Sequence, residues 1–134
     1  MGRRFVEHVG EVELALNADT EAGLFGEALT AFRELVDESD PHESEVVKRE
    51  IGLGPADEAL LLVDWLNELV FFAEVDDLVP LRIEQIDLGA GRLHATVSFV
   101  RGRPRHLVKG ATLHGLELAG EKQGGWHARI VLDV

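Results

Sequence analysis

Cysteine is absent from the 134 residues. Its absence excludes disulfide frameworks, cysteine-ligated zinc, iron–sulfur clusters and thiol catalysis, and it fits a cytoplasmic protein. Long apolar runs are also missing. The longest, residues 59–63 and 69–73, are far too short to span a bilayer. The opening MGRRFVEHV reaches Glu7 before any such run, which argues against a secretory signal. Basic residues are scarce, with 13 Lys and Arg against 25 Asp and Glu and a net charge of −12. A chain so charged should not coat duplex nucleic acid or anionic lipid nonspecifically. The G-x-S-x-G, Walker, G-x-G-x-x-G and H-E-x-x-H patterns do not occur.

What remains is an ordinary globular composition, 46% hydrophobic and 28% charged, at a length that suits one domain over residues 1–134. The charge is polarised along the chain. Residues 1–80 carry 5 basic and 20 acidic side chains, whereas residues 81–134 carry 8 and 5. Either acidic helices cover a more neutral sheet, or the surface is built for a partner with charged patches of its own.

Periodicity predicts strands over 4–9 and 11–16. In the second, Val12, Leu14 and Leu16 alternate with Glu11, Glu13 and Ala15. Asp19 or Thr20 can cap a helix whose stripe is Leu24, Phe25, Ala28, Leu29, Phe32, Leu35 and Val36. The acidic cluster 37–43 should end it, and residues 45–51 read as a strand. A second helix is expected from Ala56 to about Asp76, opened by Gly54-Pro55. It is apolar almost all round, so it should pack on more than one side. Strands follow over 81–88, 92–100, 107–118 and 126–134, the first pair joined by Gly89-Ala90-Gly91. The expected architecture is α+β, two helices packed on a mainly antiparallel sheet in two layers, with Trp65, Leu66, Leu69 and Val70 in the core.

Few residues offer chemistry. His8 and Glu11 are spaced H-x-x-E where two strands should meet, and Asp133 lies next to Val134. Glu11, Asp133 and the carboxylate of Val134 would supply hard oxygens suited to Ca²⁺ or Mg²⁺; ordinary strand-end carboxylates are the alternative. Asp64 and Glu68 share one face of the second helix, near the line of Asp57, as a partner- or ion-facing stripe or a solvated one. In a regular strand Thr112 and His114 point one way and Lys109 the other; a bulge at Gly110 would bring Lys109 round to them. Together they suit acid–base work or phosphate contact, or simply a polar sheet face. His94 and His114 fall on strands expected to be neighbours. The basic loop 101–105 lacks interleaved aromatics and reads as solvated.

Three segments taken together resemble the archease family. They are Leu61-Leu62-Val63-Asp64-Trp65-Leu66-Asn67-Glu68-Leu69, Val108-Lys109-Gly110-Ala111-Thr112-Leu113-His114, and the ending Gly125-Trp126-His127-Ala128-Arg129-Ile130-Val131-Leu132-Asp133-Val134. Their order and spacing also agree, and the resemblance spans nearly the whole chain. It implies a small α+β protein that is not itself an enzyme. Such proteins assist a GTP- and manganese-dependent RNA ligase in tRNA splicing and RNA repair, promoting its guanylylation and multiple turnover. It also implies a metal site, with calcium, built from an early Asp and the last two residues, here Glu11, Asp133 and Val134. His8-Val9-Gly10-Glu11 stands where the family has His-Thr-Ala-Asp. Partner contacts would then involve Lys109, Thr112, His114, His8 and Asp64. The rival readings are a metal-dependent hydrolase using Glu11 and Asp133, and a general chaperone-like binding module.

Overall fold

The computed structural model describes residues 2–36, 45–104, 106, 108–120 and 124–134. The expected acidic helix stop at 37–43 lies outside them. Among the described residues the chain order is β1 (Gly2–His8), β2 (Glu11–Ala18), α1 (Glu21–Val36), β3 (Val46–Leu53), α2 (Glu58–Asp76), β4 (Leu78–Gly89), β5 (Arg92–Arg101), β6 (Gly110–Gly120) and β7 (Trp126–Asp133).

All strand pairs are antiparallel. The strands divide between two sheets, ordered β1-β2-β7-β6 and β3-β5-β4. The α+β class and the helix-on-sheet packing are as expected, with the sheet in two parts. Helix α1 packs on β1, β2 and β7 of the first sheet and on β4 of the second. Helix α2 packs on β6 of the first and on β3 and β4 of the second, and on α1. This double contact explains the all-round apolarity of α2. Trp65, Leu66 and Leu69 are fully buried and Val70 nearly so. In β2 the alternation holds, with Val12, Leu14 and Leu16 facing the core. One consequence corrects the sequence reading: His94 on β5 and His114 on β6 belong to different sheets.

Local chemistry sets the element ends. Thr20 Oγ1 accepts the Gly23 N–H at 3.0 Å, which makes Thr20 the cap of α1. Asp57 caps α2 by accepting the Leu60 N–H at 3.0 Å, so α2 starts at Glu58 rather than Ala56. Asp57 therefore serves the helix terminus rather than a ligand-facing stripe. The Gly54-Pro55 peptide is cis. Gly54 has φ +102°, and a Cβ there would lie 2.4 Å from the Gly91 carbonyl oxygen, so only glycine fits. Residues Ala90 and Gly91 both have positive φ and form the two-residue turn between β4 and β5. Pro80 is accommodated because β4 is an edge strand whose register shifts between Pro80 and Arg82.

Arg3 ties the edge strand β1 to α1. Its Nη1 is 3.1 Å from Glu27, and it donates to both oxygens of Glu34. The hydrogen bond from Arg3, then its charge, holds the Glu34 carboxyl below its ordinary value of 4.5. A lowered folded-state value means that the ion pair stabilises above about pH 4.5 and that this is lost as pH falls through the lowered value. Arg3→Met should therefore lower the melting temperature slightly at pH 7 and leave it unchanged at the acid end, below the lowered value. A melting difference that persists undiminished in acid would contradict this account.

Candidate functional site

The site grows from three strand ends. In the first sheet β7 lies between β2 and β6. Glu11, the first residue of β2, is directly opposite Asp133, the last of β7, and Asp133 is opposite Gly110, the first of β6. His8 continues the row on β1, opposite Glu11. Directly opposed residues in an antiparallel pair have Cα atoms about 4.5–5.5 Å apart and side chains on one face. Because Val12 and Leu132 of the next row point into the core, Glu11 and Asp133 point away from it. Both are half-buried. Neither has an ion-pair partner among the described residues.

Backbone bonds hold the row rigid. The Val134 N–H donates to the Gly10 carbonyl at 3.0 Å, and the Lys109 N–H to the Asp133 carbonyl at 2.8 Å. Val9 and Gly10 form the turn from β1 to β2; Gly10 has φ +74° and Val9 is fully exposed. The exposed Lys109 thus borders the carboxylate pair.

Asn67 is a positioning residue whose role the sequence reading did not identify. Its Oδ1 accepts the Ala111 N–H at 2.9 Å, across 44 residues. Strand β6 is an edge, so this N–H has no neighbouring strand to pair with. A Cβ at Gly110 would lie 3.2 Å from the same oxygen, which accounts for the small residue there. The two internal motifs of the sequence, one on α2 and one on β6, are therefore joined by a single hydrogen bond. The available signal was the one amide side chain of α2, where the other polar residues are carboxylates.

The rest of β6 departs from expectation. Gly110, Ala111 and Thr112 keep register with β7, and the irregularity falls between Thr112 and Glu117 instead of at Gly110. Gly115 there has φ +68°, and Thr112 Oγ1 accepts the His114 N–H at 3.3 Å. The exposed His114 lies in this irregular stretch, while Lys109 joins the carboxylate row through its backbone. Asp64 is exposed on α2, three residues before Asn67, and is not part of the row.

Among the described residues no group of three or more His, Asp or Glu is arranged to hold a metal ion. The two side-chain carboxylates in register fit a hydrated divalent cation of the Mg²⁺ kind, which needs one or two carboxylates. Calcium takes six to eight oxygens, and no side-chain cage for it is formed among the described residues. Among the described residues no helix is long and apolar enough to cross a membrane.

These features define a small α+β protein with a row of polar residues at one end of a sheet, bonded through Asn67 to a helix that supplies much of the core. The family model described as "Archease protein family (MTH1598/TM1083)" matches residues 4–134. The chain belongs to the archease family. It is 29% identical to "Protein archease" of Methanosarcina mazei over 97% of this chain and 94% of that one. It is 31% identical to "Protein archease" of Methanopyrus kandleri over 96% of both chains. The solution structure of Methanobacterium thermoautotrophicum protein 1598 superposes with a TM-score of 0.71 at 26% identity, covering 99% of each chain. The crystal structure of an archease, described as a possible chaperone, from Thermotoga maritima also gives 0.71. It covers 100% of this chain and 98% of that one, and at 16% identity it supports the fold alone.

Proposed function

We propose that this protein is an accessory factor of a GTP- and manganese-dependent RNA ligase, raising ligase guanylylation and allowing multiple turnover. The observation that carries this reading is the opposed pair Glu11 and Asp133, set at an exposed sheet end with no neutralising partner among the described residues. Like charges directly opposite each other are unfavourable. A cationic surface or a hydrated divalent ion relieves that repulsion, and a ligase that holds GTP, metal and RNA must present positive charge at its active-site mouth. Membership of the archease family supports the choice of partner through the resemblance described above.

In this reading Glu11 and Asp133 face the ligase and, with Val134 beside them, would hold a cation where one is bound. Such a cation would supply a positive bridge between the two proteins. Lys109, at the border of the pair, contacts the ligase or a nucleotide phosphate; Thr112, His114 and His8 are further partner contacts in this reading. The name "possible chaperone", given to the Thermotoga maritima protein, suits a second reading, a general binding module with no single client.

The test is multiple-turnover ligation by the RNA ligase of the same organism, with and without this protein, at two salt concentrations. Activation is expected, and it should weaken as salt rises, because exposed charges are screened over about 10 Å at 0.1 M salt. Turnover of a phosphoester by this protein alone would favour the hydrolase reading. Absence of any activation would overturn the assignment.

A further inference from the structure

Helix α2 buries one side and leaves the other open. Phe71 and Val75, one turn apart, are 52% and 62% exposed, although the rest of the helix supplies much of the core. Phe71 is not a loose side chain. It meets Phe72 edge-on at 6.0 Å, and Phe72 packs on the fully buried Phe99 at 4.9 Å. An aromatic group held in place by the core loses little freedom when a partner covers it.

The charge carried by the helix itself beside these two residues is of one sign. Helix α2 contains no Lys, Arg or His, and its last turn has no basic residue. Glu74 and Asp76 instead lie at the helix C-terminus, followed by the cap residue Asp77. The helix dipole is negative at that end, so carboxylates there are unfavourable and lysine or arginine favourable. Any cation at this end comes from outside the helix: within the chain Arg101 and Arg103 flank Gly102, whose N–H donates to the Asp77 carbonyl at 2.8 Å, and Arg101 is already paired with Glu45. The stripe also continues into the candidate site: Asn67, one turn or about 6 Å before Phe71, is bonded to Ala111, beside the Gly110–Asp133 pair.

We propose that this open face of α2 is a docking surface for a protein with an apolar pocket rimmed by lysine and arginine. Phe71 and Val75 enter the pocket, and Asp64 and Glu74, on the same side of the helix, meet its rim. The occupant is the RNA ligase, an identification that rests on the function proposed above. An interface of ordinary size buries about 800 Å² per partner.

The experiment measures affinity of the same organism's RNA ligase for wild type, Phe71→Ser and Glu74→Lys, with a thermal melt and sedimentation of each variant. Phe71→Ser should weaken binding about tenfold. Glu74→Lys should raise the melting temperature, by complementing the helix dipole, while weakening binding and flattening its salt dependence. A purely structural role for Glu74 would move stability and binding in the same direction. If wild type binds the ligase and both variants bind as tightly, the docking surface is wrong and the accessory function stands. If wild type neither binds nor activates the ligase, the function and this partner fall together. A wild-type dimer that Phe71→Ser converts to monomer would reassign the face to self-association and overturn the proposal.

Discussion

Trp65→Ala should destabilise the protein by about 3–5 kcal/mol, the range for removing a large buried aromatic side chain. Trp65 is fully buried, its indole N–H donates to the Phe25 carbonyl at 3.0 Å, and its ring meets that of Phe25 edge-on at 5.9 Å. The substitution therefore removes apolar burial, an aromatic contact and the bond that links α2 to α1. Since single domains are stable by only about 5–15 kcal/mol, the melting temperature should fall by about 10–20 °C. Trp65→Phe keeps most of the ring volume and loses the hydrogen bond, so it should fall between wild type and alanine. Urea unfolding with an unchanged slope measures both. A loss below about 1 kcal/mol for the alanine variant would mean that α2 is not the keel of the core.

Asp133→Lys should reduce ligase activation about 100-fold while leaving the fold intact. Reversing a charge at an interface leaves its partner facing repulsion, and losses of 2–5 kcal/mol are typical for desolvated pairs. Asp133 is half-buried at the end of β7, and its neighbours are held to it by backbone bonds that the substitution does not touch. The control must be chosen with care. Glu34 is a natural choice from the sequence, but its carboxylate holds Arg3, so reversing it disturbs the β1–α1 link. Glu50 is better, being exposed on β3 in the other sheet. Lys109→Ala should lower activation by a smaller factor. Equal activation by wild type, Asp133→Lys and Glu50→Lys in a multiple-turnover assay would remove the carboxylate row from the mechanism.

Local features were legible in the sequence where the physics is local. The alternation in β2, the stripe of α1 and the Ala90-Gly91 turn each follow from a few adjacent residues. The start of α2 was misplaced by two residues because Pro55 carries a strong helix-start signal, whereas the operative one is the side-chain acceptor of Asp57. The division into two sheets was not legible. Strand periodicity says which face is buried and nothing about which distant strand is the neighbour. For the same reason His94 and His114 were grouped wrongly. The opposition of Glu11 and Asp133 was available only as an analogy with family members, since their register depends on pairing across the whole chain. Asn67 stood inside a recognised motif, yet its task is visible only once β6 is seen to need a donor-facing cap on its edge.

The placement of β7 between β2 and β6 has a consequence for the order in which the molecule forms. The three strands of the second sheet fall within positions 46–101, and two of them are joined by a two-residue turn. The carboxylates of the candidate site come from positions 11 and 133, so their pairing must close almost the longest loop that the chain allows. Contacts so remote in sequence carry the largest entropy of closure and are slow to form. The polar row should thus form late in folding, and a partly folded chain would lack the surface on which the proposed partner contact rests.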